Sequence, residues 1–432
     1  MLWKSRPPWV VGKILAECTD QPGVRNNGNV SDTHRGRTSL HPHFDTTSTV
    51  VVIGLGYIGL PTAAFLADAG VQVVGVDINQ TTVDKVNSGI VPFVEKGFDE
   101  LLKKVVSSGR LTATTEVPEG DAFIITVPTP FQEDHSVDDS YVMAAADNII
   151  PVLRGGELVV LESTSPPGLT ERMADRITAH AKSIEAAHCP ERVLPGAIMK
   201  EIVQNDRIIG GLSDVATERA SALYRLFTTG EHHLTDARTA ETAKLTENAF
   251  RDVNIAFANE LSMICEDLGI DVWELIGLAN HHPRVNILQP GPGVGGHCIA
   301  VDPWFLISSA PDSARLMRTA REVNDSKPEF VLERIRERQA DSLAIFGLAF
   351  KANIDDLRES PALKIAVQLA TEFPGHRIQV VEPHITELPA VLANFRNVEL
   401  VEVDEVTADL KVMLVGHDAF RDIEGEMLSF IS

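Results

Sequence analysis

The sequence predicts an α/β chain: two doubly wound domains joined by a helical central region. Three observations carry this. Short apolar runs alternate with helix-compatible runs across residues 47–230, and that alternation predicts a parallel sheet covered on both faces. Residues 231–325 lose the strand pattern and read as helical. From residue 326 to 432 the alternation of strand and helix returns.

Composition narrows the partners before any motif is considered. The chain has 432 residues, 44% of them hydrophobic and 23% charged, as in an ordinary soluble globular protein. Its 38 basic residues against 61 acidic ones give a net charge of −23, which argues against nucleic acid or an anionic membrane as a general partner. No apolar run is long enough for a membrane-spanning helix. The four cysteines, Cys18, Cys189, Cys265 and Cys298, form neither a C-x-x-C pair nor a dense framework, so a reducing cytoplasm is expected. Residues 1–46 are rich in Asn, Thr, His, Arg and Gly and show little periodicity. They read as a disordered, dispensable tail, with a small oligomerisation arm as the alternative.

The first strand of the first domain is Val50-Val51-Val52-Ile53, running into Gly54-Leu55-Gly56-Tyr57-Ile58-Gly59. A helical run from Leu60 to Ala69 follows, then Gly70 and a second apolar strand, Val71 to Val76, ending at Asp77. Strand, G-x-G-x-x-G, helix and an acidic residue about twenty positions on make a Rossmann-like dinucleotide fingerprint. The glycines allow a tight turn and close approach to a pyrophosphate, with Tyr57 and Ile58 inside the same turn. Asp77 suits the adenosine ribose hydroxyls and would repel a 2′-phosphate, so the expected cofactor is NAD. Two further buried strands, Asp121 to Pro128 and Glu157 to Thr164, end in Pro- and Gly-rich turns. Thr129 and Thr164 therefore stand at strand carboxyl ends, where ligands bind in such sheets. Each is equally open to a plain capping or turn role.

In the central region Thr239 to Gly269 is one long helical run, stopped by Gly269. Lys244, Asn248 and Arg251 stand at i, i+4 and i+7 along one face, either as a functional row or as a solvated stripe. Further on comes Gly291-Pro292-Gly293-Val294-Gly295-Gly296-His297-Cys298, with Asp302 four residues later. A glycine-rich loop of this kind can present a thiol to a ligand, and a thiolate near positive charge or backbone donors is a nucleophile for carbonyl carbon. Taken alone, the same stretch fits a turn with a buried structural thiol. The third region carries a strand from Leu343 to Phe350, then Lys351, Arg358 and a helix from about Ala362. His376 to Pro383 and Asp409 to Gly416 supply further strands. Without the dinucleotide fingerprint, this domain is the natural place for another nucleotide. Lys351 and Arg358 are its candidate phosphate or cross-domain contacts, or simply exposed charges.

Several long stretches, in this order, resemble the UDP-glucose/GDP-mannose dehydrogenase family over roughly Val50 to Phe420. They are Cys189-Pro190-Glu191-Arg192-Val193-Leu194-Pro195-Gly196, Gln204 to Gly211, Lys244 to Glu260, His282 to Pro290 and the Cys298 loop. The resemblance implies a four-electron, NAD-dependent oxidation of a UDP-sugar primary alcohol to a carboxylate. Pro190-Glu191-Arg192 and Ile299-Ala300-Val301-Asp302 differ from the usual spellings of the glucose enzymes. They imply UDP-N-acetyl-D-mannosamine as substrate, with UDP-glucose or UDP-N-acetylglucosamine as alternatives, and a non-catalytic nucleotide-sugar binder as the reading from another class. It also implies roles: Cys298 as the nucleophile, Lys244 and Asn248 at the developing oxyanion, Asp302 as base or water-orienting group, and Glu191 as activator of the hydrolytic water. Gly54, Gly56, Tyr57, Ile58, Gly59, Asp77, Thr129, Thr164 and Arg358 are the implied cofactor contacts. Arg192, Val193, Lys244, Asn248, Arg251, His282, Arg284, Gly295 and Lys351 are the implied substrate contacts. Arg284 supplied from a neighbouring subunit implies a homodimer.

Overall fold

A computed structural model describes residues 44–431 apart from positions 94, 133, 181, 195, 297 and 424. Most of the tail expected over 1–46 lies outside the described residues. Its last three residues are described, and here the sequence reading needs correcting. Phe44 is only 8% exposed and packs into the first domain's core, with the Arg219 guanidinium 5.9 Å from its ring centre.

The first sheet is built on β1 (Thr49–Ile53), β2 (Gln72–Val76), β3 (Leu111–Thr114), β4 (Ala122–Ile125), β5 (Glu157–Leu161), β6 (Ile184–His188), β7 (Arg207–Gly211) and β8 (His232–Asp236). Their spatial order is β3-β2-β1-β4-β5-β6-β7-β8. Side chains alternate across a strand: Val50 and Val52 enter one core while Val51 and Ile53 enter the core on the other face. That double burial explains why the strands read as unbroken apolar runs rather than alternating ones. Strand pairing is parallel except at β6–β7, where Ala187 and His188 run antiparallel to Gly211 and Gly210. The chain leaves β1 for β2 on one side and reaches β4 on the other, so a crevice opens at the carboxyl ends of β1 and β4.

Two boundaries differ from expectation. The sheet extends past residue 230, because β8 pairs with β7 from Arg207–His232 to Gly211–Asp236. Its sequence, His-His-Leu-Thr-Asp, lacks the apolar run that marks a central strand, as befits an edge position. The other boundary, between 325 and 326, falls inside a continuous helix, Arg315–Glu337, which runs through Pro328.

The central region is organised by the 32-residue helix Ala237–Leu268. Asp236 caps it by accepting from Thr239 N–H at 2.9 Å, and Gly269 ends it in the left-handed conformation at φ 67°. One face packs against helices Asp302–Ser309 and Arg315–Glu337, burying Lys244, Asn248, Asp252 and Asn259. Another face exposes Phe250, Phe257 and Ile264, spaced seven residues apart, followed by Leu268.

The second sheet is formed by β9 (Ser342–Phe346), β10 (Arg377–Val381), β11 (Val398–Leu400), β12 (Leu410–Met413) and β13 (Leu428–Ser429), in the order β11-β10-β9-β12-β13. It repeats the first five strands of the larger sheet. Gly54 after β1 has φ 98° and faces Thr126 beyond β4; Gly347 after β9 has φ 88° and faces Val415 beyond β12. Asp77 after β2 accepts from Leu55 N–H at 3.0 Å, and Glu382 after β10 accepts from Leu348 N–H at 2.7 Å.

Candidate active site

The crevice at β1 and β4 has the shape of a pyrophosphate cradle. Gly54 and Gly59 meet there, and a Cβ on Gly59 would fall 1.9 Å from the Gly54 carbonyl oxygen and 2.2 Å from Thr126 Oγ1. A Cβ on Gly56 would meet nothing within 4 Å. The first glycine is thus required by the fold, whereas the second leaves open space over the turn, where only a ligand would be displaced. Helix Gly59–Asp68 starts at this turn, so the positive end of its dipole faces it. Asp77 receives Leu55 N–H on one oxygen and Asn79 N–H at 2.9 Å on the other; each oxygen keeps a lone pair for a ribose hydroxyl. Thr129 Oγ1 donates to the Thr164 carbonyl at 2.8 Å, tying the two strand-end loops together. Tyr57 is partly exposed and stacks on Phe93 at 4.4 Å between ring centres.

Across from this crevice, two segments far apart in sequence converge. Lys244 and Asn248 on the long helix meet Asp302, the first residue of helix Asp302–Ser309. Asn248 Nδ2 donates to Asp302 Oδ2 at 2.6 Å, and Lys244 Nζ lies 3.9 Å from the same oxygen. All three side chains are buried. Burial raises the Asp302 carboxyl to about 6, against the opposing pull of Lys244 and the Asn248 hydrogen bond. Cys298 is joined to Asp302 through the backbone, its carbonyl accepting Asp302 N–H at 2.8 Å and Val301 N–H at 3.1 Å. Cys298 is exposed as a residue, whereas Cys189 and Cys265 are buried; burial pushes Cys189 up to about 12. The Cys298 thiol is raised above its ordinary value despite the cations near it. Protein crowding the thiol raises it, the Asp302 carboxylate adds to the rise, and Lys244, Arg251 and Arg358 pull it down.

Arg358 brings the C-terminal domain into this cluster. It is exposed and forms a two-pronged pair with Asp356 at 2.8 and 2.6 Å, and it interacts electrostatically with both Tyr57 and Cys298. The glycines before the cysteine also face that domain. A Cβ on Gly295 would lie 2.5 Å from the Glu359 carbonyl oxygen, and one on Gly296 would lie 2.9 Å from the Phe350 ring. These glycines admit close domain packing, which places the loop under Phe350, beside exposed Lys351.

Other expected residues lie in different settings. Arg192 pairs with Glu247 at 2.6 Å and donates to the Asp206 carbonyl, and Val193 is half-buried beside it. Arg251 is exposed on the long helix. His282 and Arg284 are exposed in the turn after helix Val272–Ala279, with Arg284 N–H donating to His282 Nδ1 at 3.3 Å. Glu191 is held by two donors. Its Oε1 accepts Arg192 N–H at 2.6 Å and its Oε2 accepts Arg207 Nη2 at 2.5 Å. Arg207 belongs to a buried group the sequence reading misses. It also faces Glu162 at 3.5 Å, and Glu162 reaches Tyr224 Oη at 3.2 Å and Thr62 Oγ1 at 3.3 Å. The signal was present: Glu162 directly follows, and Arg207 opens, an apolar strand.

Comparison with known proteins agrees with this architecture. Three profiles of the UDP-glucose/GDP-mannose dehydrogenase family match in order: the NAD binding domain over residues 48–228, the central domain over 238–326 and the UDP binding domain over 344–430. NDP-N-acetyl-D-galactosaminuronic acid dehydrogenase of Ralstonia nicotianae is 55% identical over 398 residues, covering 88% of this chain and 93% of the relative. UDP-N-acetyl-D-mannosamine dehydrogenase of Escherichia coli is 53% identical over 403 residues, covering 88% and 96%. The solved UDP-N-acetyl-mannosamine dehydrogenase Cap5O of S. aureus superposes with a TM-score of 0.78 at 44% identity, covering 87% of this chain and 91% of that one. With its cofactor cradle, its buried Lys244–Asn248–Asp302 cluster and its exposed Cys298, the chain belongs to the UDP-glucose/GDP-mannose dehydrogenase family and is an NAD-dependent UDP-sugar dehydrogenase.

Proposed function

We propose that the chain oxidises C6–OH of UDP-N-acetyl-D-mannosamine to the carboxylate, through a thioester on Cys298, to supply a precursor of cell-surface polysaccharide. The observation that carries the reading is the convergence of Lys244, Asn248 and Asp302 beside Cys298, the exposed residue among the described cysteines. NAD, when bound, accepts one hydride in each of the two oxidations. Lys244 stabilises negative charge on the substrate oxygen as the alcohol proton leaves. Asp302, held near 6 and oriented by Asn248, accepts protons at neutral pH better than an ordinary carboxylate. Deprotonated Cys298 adds its sulfur to the aldehyde carbon, and the carbonyl electron pair moves to oxygen beside Lys244. After the second oxidation, water attacks the thioester carbon, the C–S bond breaks and the sulfur recovers its proton. Glu191, held by Arg192 N–H and Arg207, shapes the Arg192 loop and remains the proposed activator of the hydrolytic water, while Asp302 is the proposed proton acceptor in the oxidations. Arg192, Val193, Arg251, His282, Arg284, Gly295 and Lys351 remain the proposed contacts to the UDP-sugar, the arginines as bidentate phosphate partners.

The exposed row Phe250, Phe257, Ile264 and Leu268 supports a homodimer formed through the long helix, because a seven-residue apolar repeat is the seam along which two helices pack. Among the described residues no helix is long and apolar enough to cross a membrane, and the reading places the enzyme in the cytoplasm. A second reading, UDP-N-acetyl-D-galactosamine as substrate, is supported by the 55% identity to the Ralstonia protein. NADH yield measured across UDP-linked N-acetylmannosamine, N-acetylgalactosamine, N-acetylglucosamine and glucose decides between them. The expected result is two NADH per UDP-N-acetyl-D-mannosamine, and loss of turnover with retention of fold in Cys298→Ser. Oxidation of none of the four, or turnover near wild type in Cys298→Ser, removes the reading.

A further inference from the structure

A cavity of about 420 Å³ lies far from the reaction centre, between the end of the long helix, helix Arg315–Glu337, the start of helix Val272–Ala279 and β13. Ser262 marks its position on the long helix, eighteen residues beyond Lys244. At 1.5 Å of rise per residue that is about 27 Å along the axis. Lys327 lines the cavity at 3% exposure. Its ammonium donates one hydrogen bond, to Ser262 Oγ at 2.6 Å, and sits 4.1 Å from the centre of the Phe330 ring. Among the described residues no carboxylate comes within 4.0 Å of it. Burial pulls its pKa down to about 8, with Glu266 pulling more weakly the other way.

The carboxylates lining the same cavity are already committed. Glu266 and Glu337 pair with Arg334 Nη1 at 3.4 and 3.0 Å, and Asp271 caps its helix by accepting Trp273 N–H at 2.8 Å. Arg334 Nε nevertheless remains buried without a hydrogen-bond partner. The cavity thus holds a buried ammonium whose one hydrogen bond is to a hydroxyl and one guanidinium N–H without an acceptor, and the aromatic rings of Trp273 and Phe330 line it beside them. A buried ammonium and a buried guanidinium N–H left unmatched are costly arrangements unless an anion completes them.

We propose that this cavity binds a nucleoside phosphate, with the phosphate on Lys327 and Arg334 and the base against Trp273 and Phe330. Two of the three helices that form it also hold the reaction centre or its supports, Lys244 on one and Asn324 on the other. The site is thereby placed to sense a nucleotide without occupying the UDP-binding domain's own site.

Calorimetric titration of the full chain with UMP tests this. Wild type should take up two UMP per chain, one of them in the UDP-binding domain, and Lys327→Met should take up one. Lys327→Met should keep its turnover and its thermal midpoint, because methionine fills the volume and removes an unmatched charge. Should that variant fail to fold, Trp273→Ala reads the same stoichiometry. Inorganic phosphate should compete for the second site at least tenfold more weakly than UMP. One UMP per chain in wild type, two in both variants, or equal affinity for phosphate and UMP overturns the proposal.

Discussion

Asn248 and Asp302 are joined by a 2.6 Å hydrogen bond from the amide Nδ2 to Oδ2, although 54 residues separate them. The bond uses one lone pair of the oxygen that also faces Lys244. It fixes the carboxylate on the long helix instead of leaving it to turn toward solvent.

The raised pKa of Asp302 makes a prediction about pH. Its folded value of about 6 exceeds the ordinary 3.8, so the folded state holds this proton more tightly than the unfolded chain. The resulting stabilisation is present below about pH 4 and lost as pH rises through about 6, an effect of about 3 kcal/mol for a shift of this size. The unfolding free energy of wild type minus that of Asp302→Asn should therefore fall by about that amount between pH 4 and pH 7. Paired denaturant titrations across this range measure it, and a difference independent of pH refutes the assignment. Substrate turnover in wild type should rise with pH through the same value.

Lys244→Ala should slow the first hydride transfer about 100-fold or more, the usual consequence of removing an oxyanion partner. NAD affinity should stay within about twofold, since the cradle residues belong to another domain. Pre-steady-state NADH formation at saturating substrate separates this from a pure binding role, in which the first turnover would keep its wild-type rate.

The two glycines of the cofactor turn should respond in opposite ways. Gly59→Ala drives a methyl group into the Gly54 carbonyl and Thr126, and the fold should lose several kcal/mol or fail to form. Gly56→Ala meets no protein atom within 4 Å, so its thermal midpoint should match wild type while the Michaelis constant for NAD rises at least tenfold. Equal NAD affinity in wild type and Gly56→Ala would show that no phosphate approaches that position.

Phe44→Ala should destabilise the chain by about 3 kcal/mol, as for removal of other buried aromatic side chains. Urea unfolding of the full-length variant measures this. A change below about 0.5 kcal/mol would show that the contact with the core adds nothing.

The cofactor turn was legible because three glycines, an apolar strand and Asp77 are all local signals within 28 residues, Val50 to Asp77. The row Lys244, Asn248, Arg251 was ambiguous in sequence because helical spacing cannot say which face is buried. The structure splits it, burying the first two and exposing Arg251. Glu191 and Arg207 illustrate what spacing cannot reach. Their pairing depends on β6 and β7 lying side by side, and the antiparallel step there breaks the pattern of the sheet. Strand β8 was missed because an edge strand needs no apolar run, and the boundary at 325/326 falls inside a helix that tertiary packing carries through Pro328.

That helix sets the mechanics of the whole reaction cleft. Pro328 has no N–H to offer the Asn324 carbonyl, so the backbone ladder has a missing rung midway along Arg315–Glu337. On one side of the gap are Arg321 and Asn324, bonded to Asp252 of the long helix at 2.7 and 2.8 Å; on the other the helix runs out toward β9. Gly293, at the root of the cysteine loop, leaves room for a Cβ only 3.3 Å from the Pro328 ring. The same helix thus joins the long helix to the second sheet, and its one missing backbone bond lies beside Gly293, which is also hemmed in by Pro361 at the start of the next helix, so the cysteine loop is wedged between two prolines of the two regions it separates.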